Sequence, residues 1–222
     1  GAEYDAYLIN IGNGDQFSSG FVKINPNSKI PALLDKSTDP HTRVFESGAI
    51  LVYLAEKFGE FIPTDPAERA ECMSWLFWQM GGLGPMAGQA HHFRMYAPQF
   101  TKEKLTYSKK RYTNEVNRLY GVMNKQLRKN DYLAGRYSIA DMACWGWILP
   151  SKISTKMQGQ KLKDFPHLFK WFEKVGKRPA VQKGLDVGKV MRMLAKASRS
   201  GLSEKTKEAK KARSLLFNQK AR

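Results

Sequence analysis

The residues able to do chemistry concentrate between Asn25 and Tyr53. Glu46 and Ser47 stand together where an apolar, helix-periodic segment begins. A hydroxyl and backbone N–H groups at a helix start suit a carboxylate, which the helix dipole also favours. The neighbouring Glu46 carboxylate suits an ammonium group. Upstream lies Ile30-Pro31, and X-Pro is the only bond that commonly adopts the cis form. A cis bond here would turn the N–H and C=O of Ile30 outward, where an extended peptide can pair with them as another strand. A ligand with a peptide backbone in its middle and an amino-acid zwitterion at one end fits all three features. The same spacing also fits an ordinary hairpin followed by a capped helix, and the residues alone leave both readings open.

The elements that must hold these groups can be read around them. Asn25-Pro26-Asn27-Ser28 is a polar loop leading through Lys29 to Ile30-Pro31. Ala32-Leu33-Leu34, stopped by Asp35, predicts a strand. Arg43-Val44-Phe45 predicts a second, and Ser37, Thr38, Asp39 and Pro40 between them supply a turn, so the two form an antiparallel pair. From Ser47 the pattern becomes helical, with Ile50, Leu51, Leu54 and Phe58 on one face. Phe61-Ile62-Pro63-Thr64-Asp65-Pro66 breaks that pattern and reads as a linker. Long helices follow over Ala67 to Met80 and Tyr107 to Arg128, the second with Tyr112, Val116, Leu119, Tyr120 and Met123 at helical spacing. Gly81, Gly82 and Gly84 interrupt the chain between them and permit a kink. Ser138, followed three residues later by Asp141, resembles a capping box ahead of an apolar helix that Pro150 is expected to end. A last helix runs from Phe165 to Val175.

With 222 residues, 42% of them hydrophobic, the chain can bury a core as one large or two small domains. No apolar run reaches the ~18 residues of a membrane span, and no secretory pattern opens the chain. The two cysteines, Cys72 and Cys144, are too few and too far apart for a disulfide framework or a zinc site. Their apolar helical surroundings mark them as core thiols rather than redox groups, which fits a cytoplasmic protein. His91 and His92 are adjacent and diverge on a helix, a poor metal pair. The formal net charge of +17 is uneven: residues 1–63 carry 5 Lys/Arg against 8 Asp/Glu, residues 64–185 carry 21 against 9. No stacking platform, finger spacing or helix-turn-helix signal accompanies that charge, so it reads as solvated surface without a specific nucleic-acid partner.

N-P-N-S-K-I-P-A-L (Asn25 to Leu33) with F-E-S-G-A-I-L-V-Y-L-A-E-K (Phe45 to Lys57) resembles the glutathione transferase superfamily. W-L-F-W-Q-M-G-G-L-G-P-M-A-G-Q-A-H-H-F (Trp75 to Phe93) is similar to its bacterial nu-class members, described as glutathione-dependent disulfide-bond oxidoreductases. The similarity runs from the first residues to about Gly184. It implies a thioredoxin-like α/β domain over residues 1–62, a linker at 63–66 and an all-α domain over 67–184; beyond it the resemblance fades into a Lys/Ala/Ser-rich basic tail over 185–222. It carries a glutathione-binding role to Gln16, Asn27, Ile30, Pro31, Glu46, Ser47 and Arg118, with a surface-turn role as the alternative for Gln16. Met86, Phe93, Met95 and Tyr96 either contact a second, apolar substrate or pack in the core. The implied activity is reduction of a small disulfide, or transfer to an electrophile, with bound glutathione as the thiol and no metal. A homodimer is implied as well. The alternative is a non-catalytic glutathione-binding or scaffold protein whose basic surface and tail hold partners. Residue 1 is Gly1, not methionine, and Ala2 to Ile11 resembles the second strand of the family's first domain. The family's opening strand and helix would therefore lie upstream of Gly1, and the sequence reads as a fragment. The family residue that hydrogen-bonds the glutathione sulfur would lie upstream of Gly1 too, and no catalytic residue is assigned.

Overall fold

The computed structural model describes residues 2–187. Gly1 and, of the basic tail expected over 185–222, residues 188–222 lie outside the described residues. The chain divides into two compact units, one of residues 1–50 with the segment from Pro179 onward, the other Leu51–Arg178.

The first unit holds the expected hairpin. Strands β1 (Ala32–Asp35) and β2 (Thr42–Phe45) pair antiparallel in the register Ala32 with Phe45, Leu33 with Val44, Leu34 with Arg43 and Asp35 with Thr42. The turn is knitted by side chains: Asp35 accepts from the Ser37 N–H (2.9 Å) and hydroxyl (2.7 Å), and Thr38 Oγ1 accepts from the Thr42 N–H at 2.9 Å. Such Asx and Thr contacts close a turn locally, which is why these residue types sit there. Ahead of the hairpin, helix α1 (Ser19–Ile24) is capped by Ser18, whose hydroxyl accepts from the Phe21 N–H at 3.4 Å, and it buries Phe21. The stretch 2–10 is not a strand, contrary to its reading from sequence as the strand that follows a unit upstream of Gly1. A strand requires a neighbour to take its alternating N–H and C=O groups, and among the described residues β1 and β2 pair only with each other. The chain instead turns at Asn10–Asp15, where the Asp15 carboxylate accepts from the Asn10 N–H at 2.9 Å, and Tyr4 and Tyr7 stay exposed.

Helix α2 (Ser47–Phe58) starts in the first unit and runs into the second. Its apolar face differs from the expected one at the end. Ala55 is buried, whereas Phe58, in the last turn, is exposed with the Lys57 ammonium 6.0 Å from its ring centre.

The second unit is helical. Helix α3 (Pro66–Trp78) opens on a proline, with Asp65 accepting from the Ala67 and Glu68 N–H groups at 3.0 Å each, as an N-cap should. A π-helical turn at Gln79–Leu83 joins it to α4 (Gly84–His91), and a second π turn at His92–Tyr96 follows. Helix α5 (Thr106–Gln126) buries Val116, Leu119, Tyr120 and Met123. Helix α6 (Ile139–Ile153) passes through Pro150 rather than stopping there. The proline removes only the bond to the carbonyl of Gly146, a solvent-exposed residue where water can replace it, so one more turn survives. Short α7 (Thr155–Gln158) and α8 (Pro166–Gly176) complete the unit, and α9 (Pro179–Asp186) belongs to the first. Ala55, Cys72, Leu76, Ile139 and Ala140 form one core cluster, with Ile62, Met73 and Met142 packed against it. Both cysteines are fully buried, and burial pushes the Cys144 thiol well above its usual pKa.

Candidate functional site

The residues proposed from sequence meet at one end of the β1–β2 ladder. Ala32 opposite Phe45 is its last pair, so Pro31 and Glu46 stand one step beyond, side by side. The Ile30–Pro31 bond is cis, and Ile30 is half exposed. Glu46 adopts the left-handed conformation, φ 69°, while its carbonyl accepts the first helical bond of α2 from the Ile50 N–H at 2.9 Å. A non-glycine residue held there costs about 1–2 kcal/mol, and residues forced into such conformations cluster at functional sites. The Glu46 carboxylate accepts from the Asn27 side-chain amide at 3.4 Å, which ties the polar loop to the start of α2. Ser47 is the first residue of that helix. Asn27, Ile30, Pro31, Glu46 and Ser47 are therefore brought together by the loop, the register and the helix start. The sulfur-contacting residue expected upstream of Gly1 lies outside the described residues, so the geometry in hand is that of the peptide grip alone.

Two residues that the sequence reading passed over hold the loop in shape. Asn25 is buried; its amide donates to the Lys29 carbonyl at 2.6 Å while its side-chain oxygen accepts from the Asn27 N–H at 2.8 Å. Its own carbonyl accepts from the Ser28 N–H at 3.1 Å, and Ser28 takes a positive φ of 54°. Arg43, on β2, donates to the Lys23 carbonyl at 2.6 Å and anchors the end of α1. The Asn25-Pro26 dipeptide was the available signal, since Asn before Pro initiates turns through its own side chain.

Gln16 lies in a short 3-10 turn (Asp15–Phe17) and is 2% exposed. Its amide nitrogen makes a long contact to the Ile11 carbonyl at 3.5 Å, and its Oε1 is buried with no hydrogen-bond partner among the described residues. A buried acceptor in that state costs about 1–3 kcal/mol unless a donor reaches it. It is therefore not the surface-turn glutamine of the alternative reading.

Arg118 belongs to the other unit. On α5 its Nε and Nη2 donate to the Glu115 carboxylate at 3.0 and 2.7 Å, and this pairing holds the Glu115 pKa below the usual carboxylate range. The guanidinium edge that would grip a ligand carboxylate bidentately is thus taken by a neighbour one turn away. Phe93 stacks on Tyr112 with ring centres 5.4 Å apart, and Tyr96 stacks on His91 at 5.0 Å. Among the described residues no group of three His, Cys, Asp or Glu is placed to hold a metal ion, and no helix is long and apolar enough to cross a membrane.

Known proteins resemble this chain over most of its length. The family descriptions "Glutathione S-transferase, N-terminal domain" and "Glutathione S-transferase, C-terminal domain" match residues 1–56 and 90–185. Disulfide-bond oxidoreductase YghU of Escherichia coli is 50% identical over 188 residues, covering 83% of this chain and 64% of that protein. The chain thus spans just under two thirds of that relative. Disulfide-bond oxidoreductase YfcG of the same organism is 44% identical, covering 82% of this chain and 83% of that protein. The crystal structure of a glutathione transferase YghU from Streptococcus pneumoniae, complexed with glutathione, superposes with a TM-score of 0.77 at 47% identity, covering 83% of this chain and 71% of that one. A Pseudomonas putida glutathione transferase with one glutathione disulfide bound per subunit gives 0.76 at 37% identity, covering 83% and 81%.

Proposed function

Because the chain belongs to the glutathione S-transferase family, we propose that it is a glutathione-dependent disulfide-bond reductase and transferase. Bound glutathione supplies the sulfur: one thiolate attacks a disulfide RSSR and expels RS⁻, a second attacks the mixed disulfide, and the sum is two glutathiones oxidised to their disulfide while RSSR takes up two protons and two electrons as two thiols. The residues of this chain bind and orient. Glu46 pairs with the ammonium of the γ-glutamyl end, and Asn27 keeps that carboxylate aimed. Ser47 and the start of α2 receive the adjoining carboxylate. The backbone of Ile30, presented beside Pro31, pairs with the cysteinyl segment as an edge strand would. The buried, unpartnered Gln16 Oε1 fits an N–H donor of a peptide and adds to the support for such a ligand. Beyond its pair with Glu115, Arg118 keeps Nη1 for a carboxylate, and that this carboxylate is the ligand's rests on the family resemblance alone. A homodimer working in the cytoplasm is the assembly and setting we propose; support comes from the family and from the two buried thiols.

The observation that carries this reading is Glu46, strained into a left-handed conformation beside Pro31 and held by Asn27. Glu46→Gln keeps the side chain's shape and removes its charge. Loss of a charge-assisted hydrogen bond worth about 1.5–3 kcal/mol predicts a ten- to hundredfold weaker Kd for glutathione, read by calorimetry. Unchanged affinity would sink the assignment. Turnover is tested with glutathione and a small model disulfide, beside conjugation of an aromatic electrophile. Retention on immobilised glutathione without either activity would select the non-catalytic binding protein instead.

A further inference from the structure

Away from the glutathione candidates, the second unit contains a cavity of roughly 430 Å³ between the Gly59–Thr64 loop, Arg136–Ser138 and Arg178. Its wall is fixed rather than incidental. Phe61 adopts a positive φ of 63°, its carbonyl accepts from the Ile139 N–H at 3.0 Å, and its ring meets Tyr137 edge-on at 5.8 Å. The Arg178 guanidinium lies 3.7 Å from the centre of the Tyr137 ring. No carboxylate pairs with it among the described residues. Arg136 lines the same cavity and spends one Nη on Glu68 at 2.8 Å. Glu60 is the one acidic residue of the lining, set against the two guanidinium groups. The backbone donors at the start of α6 are already used, Ser138 N–H by Asp141 at 3.1 Å and Ile139 N–H by Phe61. Recognition of an anion here falls to the guanidinium forks, which match planar oxyanions two bonds at a time.

We propose that this cavity binds the carboxylate or phosphate of a small molecule, held by Arg178 and Arg136 with the Tyr137 hydroxyl, while its carbon body rests on Phe61 and Ile62. Arg178 is the anchor. Packing over the Tyr137 ring holds the guanidinium in place, so little side-chain freedom is lost on binding. The volume exceeds what a bare inorganic ion needs and suits a ligand with an apolar part.

The test titrates the isotope-labelled full chain with benzoate and, separately, inorganic phosphate, following amide resonances. Shifts concentrated at Glu60–Thr64 and Arg136–Ser138 are expected with at least one probe, and the probe that binds names the headgroup. Arg178→Lys keeps the charge without the fork and is expected to weaken binding several-fold. Arg178→Gln removes both and is expected to cost about tenfold or more. Arg136→Gln, at an exposed position paired with exposed Glu68, reports on the cavity even if an Arg178 variant folds poorly, and is expected to weaken binding several-fold. If neither probe moves those resonances, or folded variants bind both probes as the wild type does, the proposal is wrong. Glutathione affinity, read in the same samples, addresses the other site independently.

Discussion

Asp141 shows how much one side chain can be asked to do. It is fully buried; one oxygen accepts from the Leu133 N–H (3.1 Å) and Trp171 Nε1 (2.8 Å), the other from the Ser138 N–H (3.1 Å) and hydroxyl (3.4 Å). The sequence showed it as a helix cap, and it is one, yet the Leu133 and Trp171 contacts were invisible because they join positions 8 and 30 residues apart. Burial nonetheless lifts its pKa above the ordinary carboxylate value, against the pull of those hydrogen bonds. Asp141→Asn must present an NH2 where an acceptor stood, setting donor against the Ser138 N–H, and we expect it to cost about 3 kcal/mol in urea unfolding despite removing a charge. The sign of the pH effect follows from the raised pKa. The folded state binds the proton more tightly than the unfolded chain, so this group's contribution is greatest below about pH 4 and declines as pH rises through the folded pKa. The stability gap between wild type and Asp141→Asn should therefore narrow from pH 4 upward, since every other carboxylate cancels in the difference. A gap that widens would refute the burial argument. At Arg118 the position suggested a ligand contact, and the structure shows Nε and Nη2 paired with Glu115; a partner three residues away on a helix is legible from sequence, but how it competes with a ligand is not.

Among the elements, periodicity located the longer helices α2, α3, α5, α6 and α8, whose apolar faces repeat over several turns, and turn residues located the hairpin; the short α1, α4, α7 and α9 were not predicted. The π turns flanking α4 left no such mark. Next to the first of them Gly84 packs tightly on Gln79 and Trp147: a Cβ on Gly84 would lie 2.6 Å from Gln79 Nε2, 3.1 Å from Trp147 and 3.2 Å from the Gln79 carbonyl. Gly84→Ala should lower stability by about 1–3 kcal/mol through overpacking. Gly121, inside α5, meets nothing within 4 Å and has no positive φ. Gly121→Ala should raise stability by about 0.5–1 kcal/mol by removing unfolded-state freedom. Opposite shifts in thermal midpoint for the two variants are the measured outcome; shifts of one sign would show that helix propensity, not space, governs both. The misjudged strand over residues 2–10 belongs to this scale too. It was expected from resemblance to a family strand, and a strand forms only where a ladder partner exists, which is a property of the sheet, not of the segment.

For the molecule as a whole, the charge of +17 invites polyanions without specifying one. The basic side chains of α5 face water or pair locally, as Arg111 and Arg118 do with Glu115 at 3.8 and 2.7 Å. Any retention of duplex DNA at 50 mM salt should fall steeply by 200 mM, in proportion to the phosphates neutralised, and should not distinguish one sequence from another. A sequence-selective complex surviving 200 mM in a mobility shift would contradict the solvated-surface reading.

Cys72 and Cys144 sit at zero exposure, and these are all the cysteines the chain has. The proposed activity would expose the chain to capture by its own product, since glutathione disulfide will cap any sulfhydryl it can reach. Here there is nothing within reach. The native protein should stay unmodified in oxidised glutathione, by intact mass, and accept two adducts only once unfolded. The activity proposed for it would then outlast the very stress that makes such an activity useful.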